Sequence, residues 1–293
     1  MVTSDAAALS ARLRASAQPV PVVSPEGALT LPGSTTSSLS LTLIAEVTPP
    51  VVGGAALVAT SLAVDGARAA VTYARLGPEY GGAVEVVDLS TPSAPTVESQ
   101  AIFVNADVNA AAIRGGNLYL ALAGEDLGFN ETAAVHNLGL SGAIITTSTN
   151  ARVALAGNVG TAVTVTSSVV YAASASNGGV YALDRAAFAV TASVALDDAR
   201  AVSAKDGAVA VHGGDQVHVF DTVNLGGRAD YTLPSAPEVG AKAQVFLAGG
   251  KAYATAGSNG LHVISASTGA QLQTLTPPAA AGSAAQDIQL NGL

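Results

Sequence analysis

The chain has 293 residues, 49% of them apolar and only 11% charged, with a formal net charge of −9. That length holds two ordinary domains or one large repetitive body, and the apolar excess points to a folded one. Twelve basic residues scattered singly give no footprint for nucleic acid or anionic lipid, and the absence of cysteine removes disulfides, thiolate metal sites and cysteine nucleophiles together.

Residues 1–17 stand apart. Thr3 or Ser4 can cap a short helix over residues 6–14, so this stretch is expected to be a tail or a short helix. It lacks the charged-then-apolar order of a secretory signal. No apolar run anywhere approaches the roughly 18–20 residues that span a bilayer. Richness in Ser, Thr, Ala and Gly resembles exported bacterial proteins, which sets the expected location in the periplasm or outside the cell.

From residue 18 to 293 the pattern is that of one domain. Short turn dipeptides separate alternating β-type runs at Asp65-Gly66, Gly115-Gly116, Ser167-Ser168, Asp206-Gly207, Gly249-Gly250 and Asn291-Gly292. Their spacing averages roughly 45 residues, the length of a four-stranded propeller blade. Asp-Gly, Gly-Gly and Asn-Gly supply the positive φ of two-residue hairpin turns, and Ser-Ser is the weak member of the set. A second strand follows each turn (residues 117–122, 169–173 and 251–255). A third then ends on a polar residue: Asp88, Asp184, Asp221 or Ser265. A polar turn and a fourth strand complete the unit. Prolines at 49, 50, 234, 277 and 278 close several fourth strands, as suits an outer edge.

The termini complete each other. Residues 285–290 precede the sixth turn and read as a first strand without a second. Residues 19–23, 28–31 and 39–47 read as second, third and fourth strands without a first. The expected fold is therefore all-β, a six-bladed β-propeller of four-stranded antiparallel blades, closed by pairing of the N- and C-terminal strands. Such closure removes unpaired edges.

Residues 81–95 carry a family resemblance. Gly81-Gly82 leads a Val-rich strand into Asp88, Ser90 and Pro92, which resembles the LVIVD repeat of bacterial and archaeal surface-associated propellers. Residues 179–184 and 267–269 look like quinoprotein-like or YncE-like repeats. The resemblance implies the architecture and carries no catalytic residue.

Candidate chemistry is sparse. His218 and His262 fall at equivalent points of their third strands, roughly 10 Å apart, whereas zinc ligands converge at about 2 Å. They read as strand-face residues, and His136 and His212 lie elsewhere in the pattern. Glu125, Asp126, Asn130 and Glu131 offer oxygen ligands without the spacing of a calcium loop, and read as a solvated loop. Asn130-Glu131-Thr132 matches the glycosylation sequon. There is no Gly-x-Ser-x-Gly elbow and no Trp platform for a sugar or quinone.

First strands line the channel of a propeller, so their polar residues are the candidate ligand site: Asn105, Asp107, Asn109, Asp198, Arg200, Lys242 and Asp287, with Arg114, Asp197 and Gln286 nearby. Asp107, Asp198 and Asp287 are the residues that would hold a channel metal. The alternative for all of them is a structural network satisfying buried polar groups. No cofactor is expected. The functional expectation is a non-catalytic interaction module or accessory subunit of a membrane-associated complex, with other protein subunits as partners. The alternatives are a propeller hydrolase or lactonase with a channel-bound metal, and a small-ligand binding protein.

Overall fold

In a computed structural model of the chain, the described residues are 1–20, 41–125, 130–222, 224–236 and 242–276. They are nearly all β, and their one helix is the five-residue Ala6–Ser10. Five antiparallel sheets follow one another, each built from four strands in chain order. The first spans Val58–Asp65, Arg68–Ala74, Gly82–Asp88 and Thr96–Phe103. The second spans Ala106–Arg114, Asn117–Gly124, Ala133–Ser141 and Ile144–Leu155. The third runs from Gly160–Val165 to Ala189–Ala195, the fourth from Ala199–Lys205 to Gly227–Thr232, and the fifth from Val245–Ala248 to Gln271–Leu275. The architecture is that of a propeller, with one sheet per blade.

Gly115-Gly116, Ser167-Ser168, Asp206-Gly207 and Gly249-Gly250 are the central pairs of hairpin turns as expected, whereas Asp65 still pairs with Arg68, so that turn is Gly66-Ala67, and Asn291-Gly292 lies outside the described residues. Gly115-Gly116, Asp206-Gly207 and Gly249-Gly250 all have positive φ at both central positions, the geometry that matches strand twist. Ser167-Ser168 avoids positive φ altogether. Its turn is held instead by Thr166, whose hydroxyl accepts from the Val169 N–H and donates to the Val169 carbonyl, both at 3.1 Å.

Burial explains the composition. Second strands are covered on both faces, and Asn117–Gly124 is buried at every position after the first. Outer strands are mostly exposed, as in Ala189–Ala195. Between successive blades lie cores of Ala, Val and Leu, such as Val84, Val86, Leu118 and Leu120 between the first and second, and Ala210, Val219, Leu247 and Ala252 between the fourth and fifth. Small side chains let the sheets approach closely. At Gly82 an added Cβ would lie 2.7 Å from the Ala106 carbonyl oxygen and the Val108 nitrogen of the next blade. The glycine that leads the repeat-like strand is therefore a close-approach position.

The N-terminal segment differs from the expected tail. Val2–Thr3 adds a fifth strand to the outer edge of the first blade, pairing Val2 with Ala101 and Thr3 with Gln100. The helix is capped by Asp5, whose carboxylate accepts from the Ala7 and Ala8 N–H groups, and its Leu9 is buried against that blade. Capping falls to Asp5 because the helix begins directly after it. The chain then runs into Leu13–Val20, which pairs directly with Leu41–Val47 in a separate two-stranded sheet. That neighbour relation differs from the expected one, in which a strand at 28–31 lay between them. Strand formation starts six residues before Pro19, and Pro19 sits opposite Thr42. Residues 21–40 and 285–290 lie outside the described residues, and with them the strand at 28–31 and the terminal closure.

Candidate functional site: the channel mouth

Successive first strands pack side by side, and the first four, together with Lys242, Ala243 and Gln244 just before the fifth, line one cavity of about 730 Å³. Because the strands alternate in direction, the connections before each first strand, between the second and third, and after the fourth lie at one end. The cavity reaches that end, since Val159 and Ala175 from such connections help to line it.

Half of its polar lining residues share one origin. Four of the first strands carry a register shift, between Ala59 and Ser61, Val108 and Ala110, Gly160 and Ala162, and Ala199 and Ala201. The bulged residues are Thr60, Asn109, Thr161 and Arg200, and all four line the cavity. A bulge re-aims its side chain out of the pleat. Three of these side chains reach the next blade's backbone. Thr60 donates to the Val108 carbonyl at 2.6 Å, Asn109 to Gly160 at 2.9 Å and Thr161 to Ala199 at 2.7 Å. In each case the acceptor is the residue just before the next bulge. From the fifth blade Lys242 donates to the Thr60 carbonyl. The first three bonds stitch the first four blades together at the mouth, and Lys242 adds a link from the fifth blade to the first.

Arg200 is held differently. Its Nε and Nη2 both meet Asp198 Oδ2 at 2.8 Å. Asp198 has φ of +55°, in the left-handed region that Asp tolerates better than most residues.

Of the seven residues expected from sequence, the structure brings Asn109, Asp198, Arg200 and Lys242 together at the cavity. Asn105 and Asp107 are not part of it. Asn105 is exposed in the connection to the second blade, where its carbonyl accepts from Glu125 N–H. Asp107 points sideways to the first blade and accepts from the backbone N–H groups of Arg75 at 3.3 Å and Gly81 at 3.1 Å. Burial raises its carboxyl above the usual range, and those two N–H donors pull the other way. The reason for both departures is that Asn109, not its neighbours, occupies the bulge. Asp287 and Gln286 lie outside the described residues. Asp107 and Asp198 therefore do not converge on a metal, and among the described residues no three His, Asp or Glu side chains gather as a metal site. Arg114 sits beside the Gly115-Gly116 turn at the opposite end of its strand.

Thr60 and Thr161 escaped the sequence reading although they do the same work as Asn109. The signal was present: each bulged residue stands six positions before the first residue of its hairpin turn. The fifth blade has Ala243 at that place, which cannot donate, and the preceding Lys242 makes the bond to Thr60 instead.

The histidines are structural. His212 Nε2 lies 3.0 Å from the Thr255 carbonyl of the fifth blade, and His136 Nε2 lies 2.6 Å from Asn150 Oδ1. Burial pushes both imidazoles down to about 4. His262 Nδ1 meets the Tyr231 hydroxyl at 3.0 Å, joining the fourth and fifth blades. His218 pairs with Asp230 at 2.7 Å.

A second polar cluster lies off the axis. Glu85, 1% exposed, accepts from Tyr73 at 2.9 Å and Gln100 at 2.7 Å, and pairs with Arg12 of the N-terminal segment. Burial and the Glu85 carboxylate push the Tyr73 phenol well above its ordinary value.

No helix among the described residues is long and apolar enough to cross a membrane. No protein-family model and no curated protein sequence matches the chain. Solved structures match it at the level of fold. They include U3-55K (10% identity over 81% of this chain and 72% of that one, TM-score 0.58). A chain of the mitotic checkpoint complex is similar at 12% identity over 74% and 64%, with a TM-score of 0.55. The computationally designed Ika8 protein is similar at 13% identity over 82% and 68%, with a TM-score of 0.50. These neighbours are of the β-propeller type, and the likeness places this chain among propellers by architecture.

Proposed function

We propose that the protein is a non-catalytic propeller acting as a rigid protein-interaction module, an accessory subunit of a larger assembly in the bacterial envelope. One observation carries this reading. At the end where the channel opens, the connection 75–81 is pinned at both ends by Asp107 and displays Leu76 at 77% exposure. Val104 at 66% and Val51 at 61% belong to connections at the same end of the same blade. Large apolar side chains held out by anchored loops are preorganised for a partner, because little ordering remains to be done on binding. That a propeller chain of similar fold belongs to the mitotic checkpoint complex fits the same use of the architecture.

The six-blade count and closure through residues 285–290 belong to this proposal. The first strands of the first and fifth blades do not pack side by side as successive ones do. The sheet of Leu13–Val20 and Leu41–Val47 would be half of the blade between them.

The test is purification of the full chain from its native cells with gentle crosslinking. Partner chains are expected to co-purify with the wild type and to be lost from a Leu76→Asp, Val104→Asp variant that still folds. A chain that travels alone would sink this reading, and one that keeps about one divalent metal ion per molecule after dialysis would favour the metal-hydrolase alternative.

A further inference from the structure

The repeat singles out one buried side chain. The third residue of each second strand pairs with a residue of the third strand: Ala70 with Val86, Tyr119 with Asn137, Tyr171 with Ala182, Ala210 with Val219 and Tyr253 with Val263. In the first four blades this pair faces the next blade. Four blades place Val or Ala on the third strand there, so the fold asks for an apolar residue. The second blade has Asn137, 5% exposed, and its Oδ1 has no hydrogen-bond partner among the described residues. An unsatisfied buried amide costs stability that an apolar side chain would not. The neighbouring Tyr119 departs from the repeat in the same way. Tyr171 donates its hydroxyl to the Thr222 carbonyl of the fourth blade at 2.8 Å, whereas the Tyr119 hydroxyl bonds to no carbonyl and lies beside the Arg185 guanidinium.

Asn137 lines a cavity of about 490 Å³ between the second and third blades, at the end opposite the channel mouth. Asn117 and Thr149 join it from the second blade, and Ser168, Asp184 and Arg185 from turns of the third. Asp184 Oδ1 accepts from the Ala186 and Ala187 N–H groups at 2.9 and 2.7 Å, and Arg185 Nη1 donates to the Ser167 carbonyl at 2.6 Å. Both charged groups are thus held in place before any ligand arrives. Apart from Ala186, every described residue lining the cavity is polar, and none is aromatic.

We propose that this cavity binds a small acyclic polyol, with one hydroxyl donating to Asn137 Oδ1 and others shared among Asn117, Ser168, Asp184 and Arg185. A hydroxyl both donates and accepts, which suits a wall that mixes amide, hydroxyl, guanidinium and carboxylate groups. An apolar ligand would find no apolar wall to lie against and would leave Asn137 unsatisfied. A sugar ring would find no aromatic face to stack on. The site is at the other end of the molecule from Leu76 and Val104, so the proposal stands or falls independently of the interaction-module reading.

Sorbitol is the probe, titrated into the full chain and followed by amide NMR shifts. Triethylene glycol dimethyl ether, of equal heavy-atom number, is the control that accepts hydrogen bonds and donates none. Sorbitol is expected to give saturable shifts confined to the surroundings of Asn117, Asn137, Ser168 and Arg185, with a dissociation constant on the order of 1–10 mM, and the ether none. Confinement to these residues separates binding from the general exclusion of polyols from protein surfaces. Asn137→Leu should weaken sorbitol binding at least about ten-fold while the unfolding midpoint stays equal or rises, because the unsatisfied amide is gone. Arg185→Met, in a surface turn, should weaken binding about five-fold, and it keeps the test open if the core variant does not fold. Absence of saturable shifts would mean that an ordered water alone satisfies Asn137, and would overturn the proposal. Equal binding of the ether, a lower midpoint for Asn137→Leu, or unchanged binding in Arg185→Met would each overturn it as well.

Discussion

A carboxylate at 1% exposure survives only because three donors converge on it. Glu85 sits in the third strand of the first blade, and Arg12 reaches it from a segment 73 residues away in sequence. Removing one partner of a buried pair leaves an uncompensated charge, which costs more than the pair contributes. Arg12→Ala should therefore destabilise the protein by about 3 kcal/mol. Glu85→Gln in the same background should recover part of that loss, because the amide needs no counter-charge. Thermal unfolding of the single and double variants is the measurement, and equal midpoints for the two would show that the pair is not acting as a buried ion pair. The interior histidines obey the same accounting with the opposite sign of charge. His136 and His212 are held neutral, with values of about 4, while the unfolded chain protonates near 6.5. Between those limits the unfolded state binds more protons. Stability is therefore full above about pH 6.5, falls as the pH drops towards 4, and levels off below. Each residue contributes roughly 3 kcal/mol to that slope. Denaturant titrations at several pH values should show it, and His136→Gln or His212→Gln should each flatten it by about half.

At the scale of strands and turns, what was legible in the sequence was what is local. Gly115-Gly116, Asp206-Gly207 and Gly249-Gly250 mark hairpins because two adjacent positive φ values exclude most other residues. The long-range parts were not legible. Nothing near Asp107 announces that it closes the 75–81 connection, and nothing in Arg12 points to Glu85. The N-terminal strand was hidden for another reason: two residues, Val2 and Thr3, are too few to show a period. Its docking rests largely on Leu9, 2% exposed, and on the Ile102 N–H, which donates to the Met1 carbonyl at 2.8 Å. Leu9→Ala should cost about 2–3 kcal/mol locally. The expected readout is faster amide exchange at Ile102 and its neighbours in Thr96–Phe103, with the second to fifth blades unchanged. Uniform acceleration would mean that the segment is integral to the whole fold. Gly82 is a sharper case of the same principle, since its strand looks ordinary while the next blade's backbone leaves no room for a methyl group. Gly82→Ala should lower stability by about 1–3 kcal/mol through overpacking, measurable in the same unfolding experiments.

Across the described blades, the repeat gives each interior blade two neighbours, and stability is shared between a blade's own hydrogen bonds and the cores on either side. The described blades have four such cores, between the first and second, second and third, third and fourth, and fourth and fifth. The outward faces of the two end blades are less well covered. Leu62 and Val64 of the first strand in the first blade are 55% and 54% exposed, and Leu272 of the fifth blade is 53% exposed. Exposed β-branched and Leu side chains on terminal repeats are what a capping element normally hides. Lys242 spans from the fifth blade to Thr60 of the first at the mouth, but a single side chain cannot cover two sheet faces. The proposed closure through residues 285–290 would hide them, so on that proposal deleting residues 277–293 acts as removal of a structural element and not of a passive tail. A fall in unfolding midpoint on the order of 10 °C, with increased binding of an apolar dye, is the expected result. An unchanged midpoint would mean that the ring is completed without the last strand, and would reduce the blade count with it.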